Sequence, residues 1–276
     1  MSRRVLALLV FSLAASAAAQ DWVGTDWKSQ LQQNDSIPAV PAAREAAGAP
    51  AQQQAGFDNY VFALEWLPTF CRGHGGASEC NSIGSGDWSA NNLSLHGLWP
   101  SRNNDSQHNF GYCGVDPAVR DQYESMHGTW CGAPQKPQLS NGTVSTLSNY
   151  MPAAKPGAGS CLQYHEWFRH GTCSGMTADD YFTAASGLTA QFASTAPGLY
   201  IKSHTGQSLK VAELIAAFKA AFGDQPSATL SCDNGMLREV HLSLKPSLGK
   251  DLKQFVLPQS SWGNCPSQIS LPAARP

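Results

Sequence analysis

Short apolar runs bounded by turn-forming residues predict the β-strands of this chain. Tyr60–Leu67 is a run of mostly aromatic and aliphatic residues that ends before Pro68, and Leu93–Trp99 is a similar run before Pro100. Runs of this length and composition are typical of buried strands. Further along, Thr229–Cys232 and Leu237–Leu244 flank an Asp-Asn-Gly turn, which predicts a β-hairpin.

Three other segments carry the start and stop signals of helices. Asp116 followed by Pro117 predicts a helix that runs to about Met126. Thr177–Asp180 resembles a capping box and predicts a helix to about Phe192. Lys210–Phe222 predicts a helix that ends at Gly223. Helices and strands do not alternate regularly and no repeat is visible, so the predicted class is α+β in one folded domain.

The N-terminal residues predict export. A basic start, the apolar run Val5–Ala15 and the small residues Ala17–Ala19 are typical of a secretory signal peptide, which we assign to residues 1–19. The run is shorter than the roughly 20 residues that cross a bilayer, so no membrane association is expected. Residues 20–56 have few large apolar side chains and predict a flexible lead-in rich in Ala, Gln and Pro. Residues 57–276 are predicted to form the folded domain of a secreted or periplasmic protein.

Composition narrows the function. The 276 residues are 42% hydrophobic and 14% charged, which is enough apolar material for a core and excludes a wholly disordered chain. Lys and Arg number 18 against 20 Asp and Glu, giving a formal net charge of −2. Nucleic acid would therefore have to bind to a local patch. In an exported protein, disulfides are the expected use of the eight cysteines.

The segment Cys161–Cys173 concentrates ionisable side chains. On a helix at about 100° per residue, its charged and imidazole groups share one arc and its aromatic pair faces the opposite side. The first set is His165, Glu166, Arg169 and His170, and the second is Trp167 and Phe168. The helix alone leaves two interpretations open, a solvated face with salt bridges and a functional site.

The spacing of these histidines does not match that of a zincin metal site. A zincin helix carries His at i and i+4, whereas His165 and His170 are five residues apart and on a helix would diverge by about 140°. No close Cys-x-x-Cys pair is present either. We therefore predict no metal and no cofactor, with a zinc site of another construction as the alternative.

His96 supplies a second imidazole from a different element. On a strand it would project opposite to Leu95 and Gly97. A lone strand histidine is most often a satisfied core or surface residue. Two histidines from separate elements, with a carboxylate and a fixed cation beside them, form a general acid–base set that suits phosphoryl transfer without a metal.

Two motifs in the chain resemble those of a known family. His96-Gly97-Leu98-Trp99-Pro100 and the run from His165 to Cys173 resemble the two active-site motifs of the ribonuclease T2 family, in that family's order. Tyr60–Pro68 followed by Cys71 is similar to its first core strand. The resemblance covers about residues 57–270. It implies an α+β fold with a central antiparallel sheet packed with helices and stapled by disulfides.

The resemblance also implies an activity. Members cut single-stranded RNA to 2′,3′-cyclic phosphate ends without metal and with low base specificity, and later hydrolysis to 3′-phosphates is left open. We expect a monomer without an obligatory protein partner. The alternatives are a catalytically silent secreted RNA-binding or interaction protein on the same scaffold, and a metal-dependent secreted hydrolase.

Residue roles follow from the same resemblance. His170 corresponds to the general base and His96 to the general acid, Glu166 and Arg169 stabilise charge on the phosphorane, and His165 holds the phosphate. Most members carry Lys at the position of Arg169. Trp99 is the candidate for stacking on a base, with Phe110 and Tyr112 as the other wall or as ordinary core residues.

The cysteines also fit the family. The implied disulfides are Cys113–Cys173, Cys232–Cys265, Cys71–Cys80 and Cys131–Cys161, although the cysteine count alone allows 105 pairings.

Overall fold

The computed structural model describes residues 56–103 and 110–274. The predicted signal peptide and nearly all of the predicted lead-in, residues 1–55, lie outside the described residues. Within the described residues, no helix has the length and apolar character needed to cross a membrane.

In the residues that the structure describes, seven strands form one sheet. Their bounds are β1 Asn59–Glu65, β2 Ser94–Ser101, β3 Ser208–Lys210, β4 Thr229–Asp233, β5 Met236–Leu244, β6 Val256–Leu257 and β7 Gln268–Ser270. The strand order is β2-β1-β5-β7-β3, and β4 and β6 also pair with β5. All pairings are antiparallel except the parallel bridge between β5 and β7, where the C-terminal segment passes the start of β5. The α+β prediction is confirmed, with a sheet that is mixed at this one bridge.

Eight α-helices surround this sheet in the described part of the chain. They are α1 Leu67–Gly73, α2 Trp88–Asn91, α3 Pro117–Ser125, α4 Asn141–Tyr150, α5 Leu162–Arg169, α6 Ala178–Ala193, α7 Ala196–Ser203 and α8 Val211–Phe222. Short 3₁₀ turns lie at Ser78–Asn81, Pro152–Ala154, Gly171–Cys173 and Leu252–Gln254. The caps predicted from sequence are present: the Asp116 side chain accepts from the backbone N–H of Ala118, and Thr177 accepts from that of Asp180.

Two strand ends differ from the prediction because of proline. β1 ends at Glu65, and Pro68 lies in the first turn of α1, a position where its missing N–H costs nothing. β2 continues through Pro100 to Ser101 because it is an edge strand, which tolerates a residue without a donor. The hairpin is confirmed, with positive φ at Asn234 and Gly235 in its turn.

The main core lies between the sheet and helices α4, α6, α7 and α8. Its largest fully buried side chains include Tyr60, Phe62, Trp66, Tyr181, Phe182 and Phe218. A hydroxyl joins the layers, since Tyr181 Oη donates to the Leu98 carbonyl of β2 at 2.7 Å. This bond fixes α6 against the strand that carries His96. A smaller cluster of Tyr112, Tyr123, Ala133 and Phe168 packs beneath α5.

Four disulfides use all eight cysteines. They are the pairs that the family resemblance implied. Two of them hold the ends of α5: Cys131–Cys161 joins the residue before the helix to an upstream loop, and Cys113–Cys173 joins the turn after it to the loop beyond β2. The helix that carries His165, Glu166 and Arg169 is therefore tied covalently at both ends.

Candidate active site

A β-bulge directs His96 towards the site. Along the β1–β2 ladder Ala63 pairs with Gly97 and Leu64 pairs with Leu95, so His96 is the extra residue between them. Such a bulge interrupts the alternation of side chains and re-aims one of them. The prediction that His96 and Gly97 face opposite sides is wrong for this reason. Both lie on the sheet face that carries Ala63 and its cross-strand partner His241 on β5.

Trp99 lies at the centre of the imidazoles. Its ring centroid is 5.3 Å from that of His96, 5.2 Å from that of His170 and 5.5 Å from that of His241. Its indole Nε1–H donates to Glu166 Oε2 at 2.7 Å, which links β2 to α5. The side chains that sequence analysis took from two distant motifs therefore meet around one ring.

Gly97 leaves the space for this link. A Cβ at position 97 would lie well under 3.0 Å from both Glu166 Oε2 and Trp99 Nε1. Only a residue without a side chain allows the carboxylate and the indole to approach each other across the strand.

Glu166 is the buried member of the α5 group. The residue is 1% exposed, and its Oε1 lies 3.8 Å from His96 Nε2. Burial raises its pKa to about 7, against the opposing effects of the His96 charge and the Trp99 hydrogen bond. Near neutral pH this carboxyl can therefore carry a proton and donate a hydrogen bond.

His170 lies outside the helix. α5 ends at Arg169, and His170 is its C-cap with φ −123° and ψ −53°. The expected divergence of about 140° between His165 and His170 assumed a helical His170, and it is wrong for that reason. The two rings are 6.2 Å apart between centroids and nearly perpendicular.

This turn also brings together three groups that could hold a cation. His165, Glu166 and His170 each offer one ligand atom, and these atoms lie within 4.8 Å of one another. The chemistry of two imidazoles and a carboxylate is compatible with zinc. The alternative of a zinc site built otherwise than in zincins therefore has a definite location, and the absence of metal remains a prediction.

The pKa values of the two α5 imidazoles are lowered. Burial lowers the pKa of His165 to about 4, assisted by the charges of Arg169 and His96. Burial likewise holds the pKa of His170 well below its usual value, with His165 and Arg169 adding to the effect. Both rings are consequently neutral at mildly acidic pH, and His170 can accept a proton.

His96 has the opposite protonation preference. Burial by itself would lower its pKa, but the Glu239 hydrogen bond and the charges of Glu166 and Glu65 outweigh that effect and raise the pKa to about 9. His96 therefore keeps its proton under conditions in which His170 has none. One imidazole can serve as an acid while the other serves as a base.

Glu239 and His241 on β5 were missed by sequence analysis. Glu239 Oε1 accepts from His96 Nδ1 at 3.1 Å, and Glu239 Oε2 accepts from His241 Nε2 at 3.0 Å. The available signal was the alternation on β5, where Glu239 and His241 are two residues apart and so share one face of a central strand. A carboxylate on a central strand needs hydrogen-bond partners, and here Glu239 has His241 and His96.

Arg169 lies at the rim of the site. Its guanidinium is 5.1 Å from the Tyr112 ring centroid and pairs with Glu124 Oε1 at 3.4 Å. A polar cavity of about 240 Å³ opens beside it, lined also by Arg120 and Val115. The side chain is therefore oriented by an aromatic face and a carboxylate.

Phe110 and Tyr112 are mostly buried, with 9% and 8% of their surfaces exposed. Phe110 lies under the guanidinium of Arg102, and Tyr112 packs in the smaller cluster beneath α5. Trp130 instead packs against His165 at 4.9 Å between ring centroids, a neighbour that sequence analysis did not single out. The roles of Trp99, Phe110 and Tyr112 towards a base remain predictions.

Known proteins resemble the chain over the region that forms this site. The model of the ribonuclease T2 family matches residues 57–265. Ribonuclease I of Escherichia coli (strain K12) is 30% identical over 235 residues, which cover 78% of this chain and 86% of that relative. Extracellular ribonuclease LE of Solanum lycopersicum is 26% identical over 225 residues, covering 78% and 87%.

Solved structures share the fold. Trichomaglin, described as an S-like ribonuclease, superposes with a TM-score of 0.53 at 19% identity, over 80% of this chain and 100% of that one. RNase NT, solved in complex with 5′-AMP, superposes with a TM-score of 0.50 at 19% identity, over 79% and 99%.

Proposed function

The chain belongs to the ribonuclease T2 family, and from this membership we propose that it is an endoribonuclease that cuts single-stranded RNA by metal-independent transesterification. His170 takes the proton of a ribose 2′-OH, whose oxygen forms a bond to the adjacent phosphorus. The bond from phosphorus to the 5′ oxygen breaks as His96 donates a proton to that oxygen. The products are a 2′,3′-cyclic phosphate end and a free 5′-OH, and hydrolysis of the cyclic end would give a 3′-phosphate.

The opposite protonation preferences of the two imidazoles support this division of roles. A general base must be neutral and a general acid must be charged at the same pH. Burial favours neutral His170, while carboxylates on two strands and one helix favour charged His96. DNA should resist cleavage because it lacks the attacking 2′-OH.

Glu166 and Arg169 would stabilise the phosphorane. A Glu166 carboxyl with a pKa of about 7 can donate a hydrogen bond to a phosphoryl oxygen on the acidic side of neutrality, whereas a carboxylate would repel it. Arg169 supplies a fixed positive charge and planar donors. His165, stacked near Trp130, would bind a phosphate oxygen through a ring nitrogen.

Low base specificity and an exported location are part of the proposal. Trp99 offers a stacking surface that every base can use, and stacking is sequence-tolerant. Four disulfides favour an oxidising compartment, outside the cell or in the periplasm. RNA is the only partner that the proposal requires.

The observation that carries the proposal is the contact of His96 and His170 with a single indole. These residues come from separate elements and are 74 positions apart in the sequence, yet each ring centroid lies within 5.3 Å of that of Trp99. We propose that a scissile phosphate binds between the two rings.

Digestion of total RNA in excess EDTA, with analysis of the ends, tests the proposal. We expect undiminished cleavage and 2′,3′-cyclic phosphate ends. Loss of activity with chelator would instead favour catalysis by a cation at His165, Glu166 and His170. RNA binding without cleavage would favour the silent interaction protein.

Two substitutions test the assignment of the imidazoles. His96→Ala and His170→Ala should each lower kcat/KM by at least about 10³-fold, since each removes a proton-transfer group from a site that needs both. His74→Ala, at an exposed ring that follows α1, is the matched control and should leave the rate unchanged. Near-normal turnover in either active-site variant would refute the assignment.

A further inference from the structure

One carboxylate joins two imidazoles on the sheet face beneath the site. Glu239 Oε1 accepts a hydrogen bond from His96 Nδ1 at 3.1 Å, and Glu239 Oε2 accepts one from His241 Nε2 at 3.0 Å. Both of its oxygens are thus engaged, one by each ring. The Glu239 side chain is only 16% exposed, so these bonds form largely away from water.

The position of Glu239 in the sheet explains why the contact is rigid. β5 is a central strand, paired with β1 on one side and with β4 on the other. Glu239 pairs in register with Glu65 of β1, which pairs in turn with Ser94 of β2. The carboxylate therefore lies two strands away from β2, at the point where the bulge turns His96 towards it.

We propose that Glu239 is a positioning residue for the general acid and that His241 completes the arrangement by holding Glu239 in place. The inference rests on the role proposed for His96. Glu239 accepts the Nδ1–H of His96, so the opposite nitrogen, Nε2, is left to face the site, where Glu166 Oε1 lies 3.8 Å away. A carboxylate that orients an imidazole and stabilises its charged form is a recurrent device of acid–base catalysis.

The bond persists through the proton transfer. Charged His96 has N–H groups on both nitrogens, and it gives up the one on Nε2 to the leaving oxygen. The neutral ring then retains the Nδ1–H that Glu239 accepts, so ring orientation and tautomer are fixed before and after the step. His241 has the complementary task, because a carboxylate with two donors resists protonation. Its bond and that of His96 outweigh burial and hold the pKa of Glu239 well below its usual value.

Other charged groups also face His96 and must be separated from Glu239 in any test. Glu65 acts on His96 from β1 and Glu166 acts from α5. His165 and His170 are coupled to it from α5 and its C-cap, while His241 lies beyond Glu239 on β5. Glu239 is the one whose carboxylate bonds the His96 ring directly in the described part of the chain. Substitution of Glu239 should therefore move the His96 titration without moving the groups on α5 by the same amount.

Titration of the histidine rings by NMR, in the full chain, tests the inference together with the pH dependence of kcat/KM. Glu239→Gln keeps the size of the side chain and an acceptor for His96 but removes the charge. We expect the His96 midpoint to fall by at least about one pH unit, because an opposite charge in contact shifts a pKa by about 1–3. The second alkaline fall of the rate profile, which His96 causes near pH 9, should move down by the same amount. Glu213→Gln, at a carboxylate on α8 that bonds Tyr200, is the matched control and should move neither.

A second pair of variants tests His241. His241→Gln preserves a donor towards Glu239 and should keep most of the wild-type profile, whereas His241→Ala should shift the alkaline limb in the same direction as Glu239→Gln. If His241 only stabilised the fold, His241→Ala would lower the melting temperature and leave unchanged both the His96 midpoint measured by NMR and the midpoint of the alkaline limb.

The outcomes distinguish this inference from the proposed function. An unchanged His96 midpoint and an unchanged alkaline limb in Glu239→Gln would overturn the positioning role, whatever the activity of the wild-type enzyme. Retained activity in His96→Ala would overturn the proposed acid, even if the NMR midpoint moved as expected.

Discussion

Gly97→Ala is the substitution that most directly tests the geometry of the site. The added methyl would collide with Glu166 Oε2 and Trp99 Nε1, the two atoms of the 2.7 Å hydrogen bond that joins β2 to α5. Neither atom can yield without moving its side chain, since Glu166 is fully buried and the indole is a rigid ring surrounded by imidazoles.

Gly97→Ala is expected to lower the activity much more than it lowers the stability of the fold. In a strand, Ala in place of Gly would ordinarily stabilise by about 0.5–1 kcal/mol. Loss of a hydrogen bond to the buried carboxyl should cost about 1–3 kcal/mol, so the free energy of unfolding should fall by about 0–2.5 kcal/mol. A displacement of about 1 Å at a catalytic group can by contrast lower the rate by about 10²-fold.

The assay is kcat/KM on a single-stranded homopolymer, read beside a thermal melt. Gly86→Ala is the matched control, because no atom lies within 4 Å of its added Cβ, and it should retain full activity. Gly97→Ala with near wild-type turnover would refute the argument that the indole–carboxyl contact positions the site. A large fall in melting temperature would show instead that the substitution acts by destabilising the fold.

Two further predictions concern charge. Arg169→Lys should retain activity within about tenfold, since it keeps the charge that most family members supply with Lys. Arg169→Met removes that charge and should lower kcat/KM by at least about 10²-fold. Equal rates for the two variants would contradict a charge-stabilising role. The pH profile of kcat/KM should rise through the lowered pKa of His170, begin to fall near 7 as Glu166 loses its proton, and fall again near 9 with His96. A maximum above pH 9 would contradict these assignments.

Sequence patterns were sufficient for the elements that carry local signals. The caps at Asp116 and Thr177 and the turn at Asn234–Gly235 are side-chain or backbone preferences that act within a few residues. Together with the helix stop at Gly223, they predicted three helices and the hairpin to within about two residues of the observed bounds. Pro68 was misleading because proline ends a strand and begins a helix equally well, and only the packing of α1 decides between them.

The candidate site was only half visible in the sequence. The two histidine motifs stand out because each is compact along the chain, but the contact of His96 with Glu239 spans 143 positions. The bulge at His96 is likewise a property of the β1–β2 register and leaves no trace in the alternation of residues. For the same reason the angle between His165 and His170 could not be predicted, because the helix ends one residue before His170.

The charge balance of the site supports the proposed binding of a polyanion by a chain with a formal net charge of −2. Burial raises the pKa values of Glu65 and Glu166 to about 7, so both carboxyls are largely protonated on the acidic side of neutrality, while His96 retains its charge up to about 9. In that range, the carboxylates paired with Arg169 and His96 are Glu124 at the rim of the site and Glu239, which is already engaged by two rings. As the pH rises through 7, two carboxylates form beneath the phosphate and repel it. The local cationic patch therefore arises because buried carboxyls stay protonated, and not because lysines cluster there. A count of charges along the sequence does not reveal such a patch.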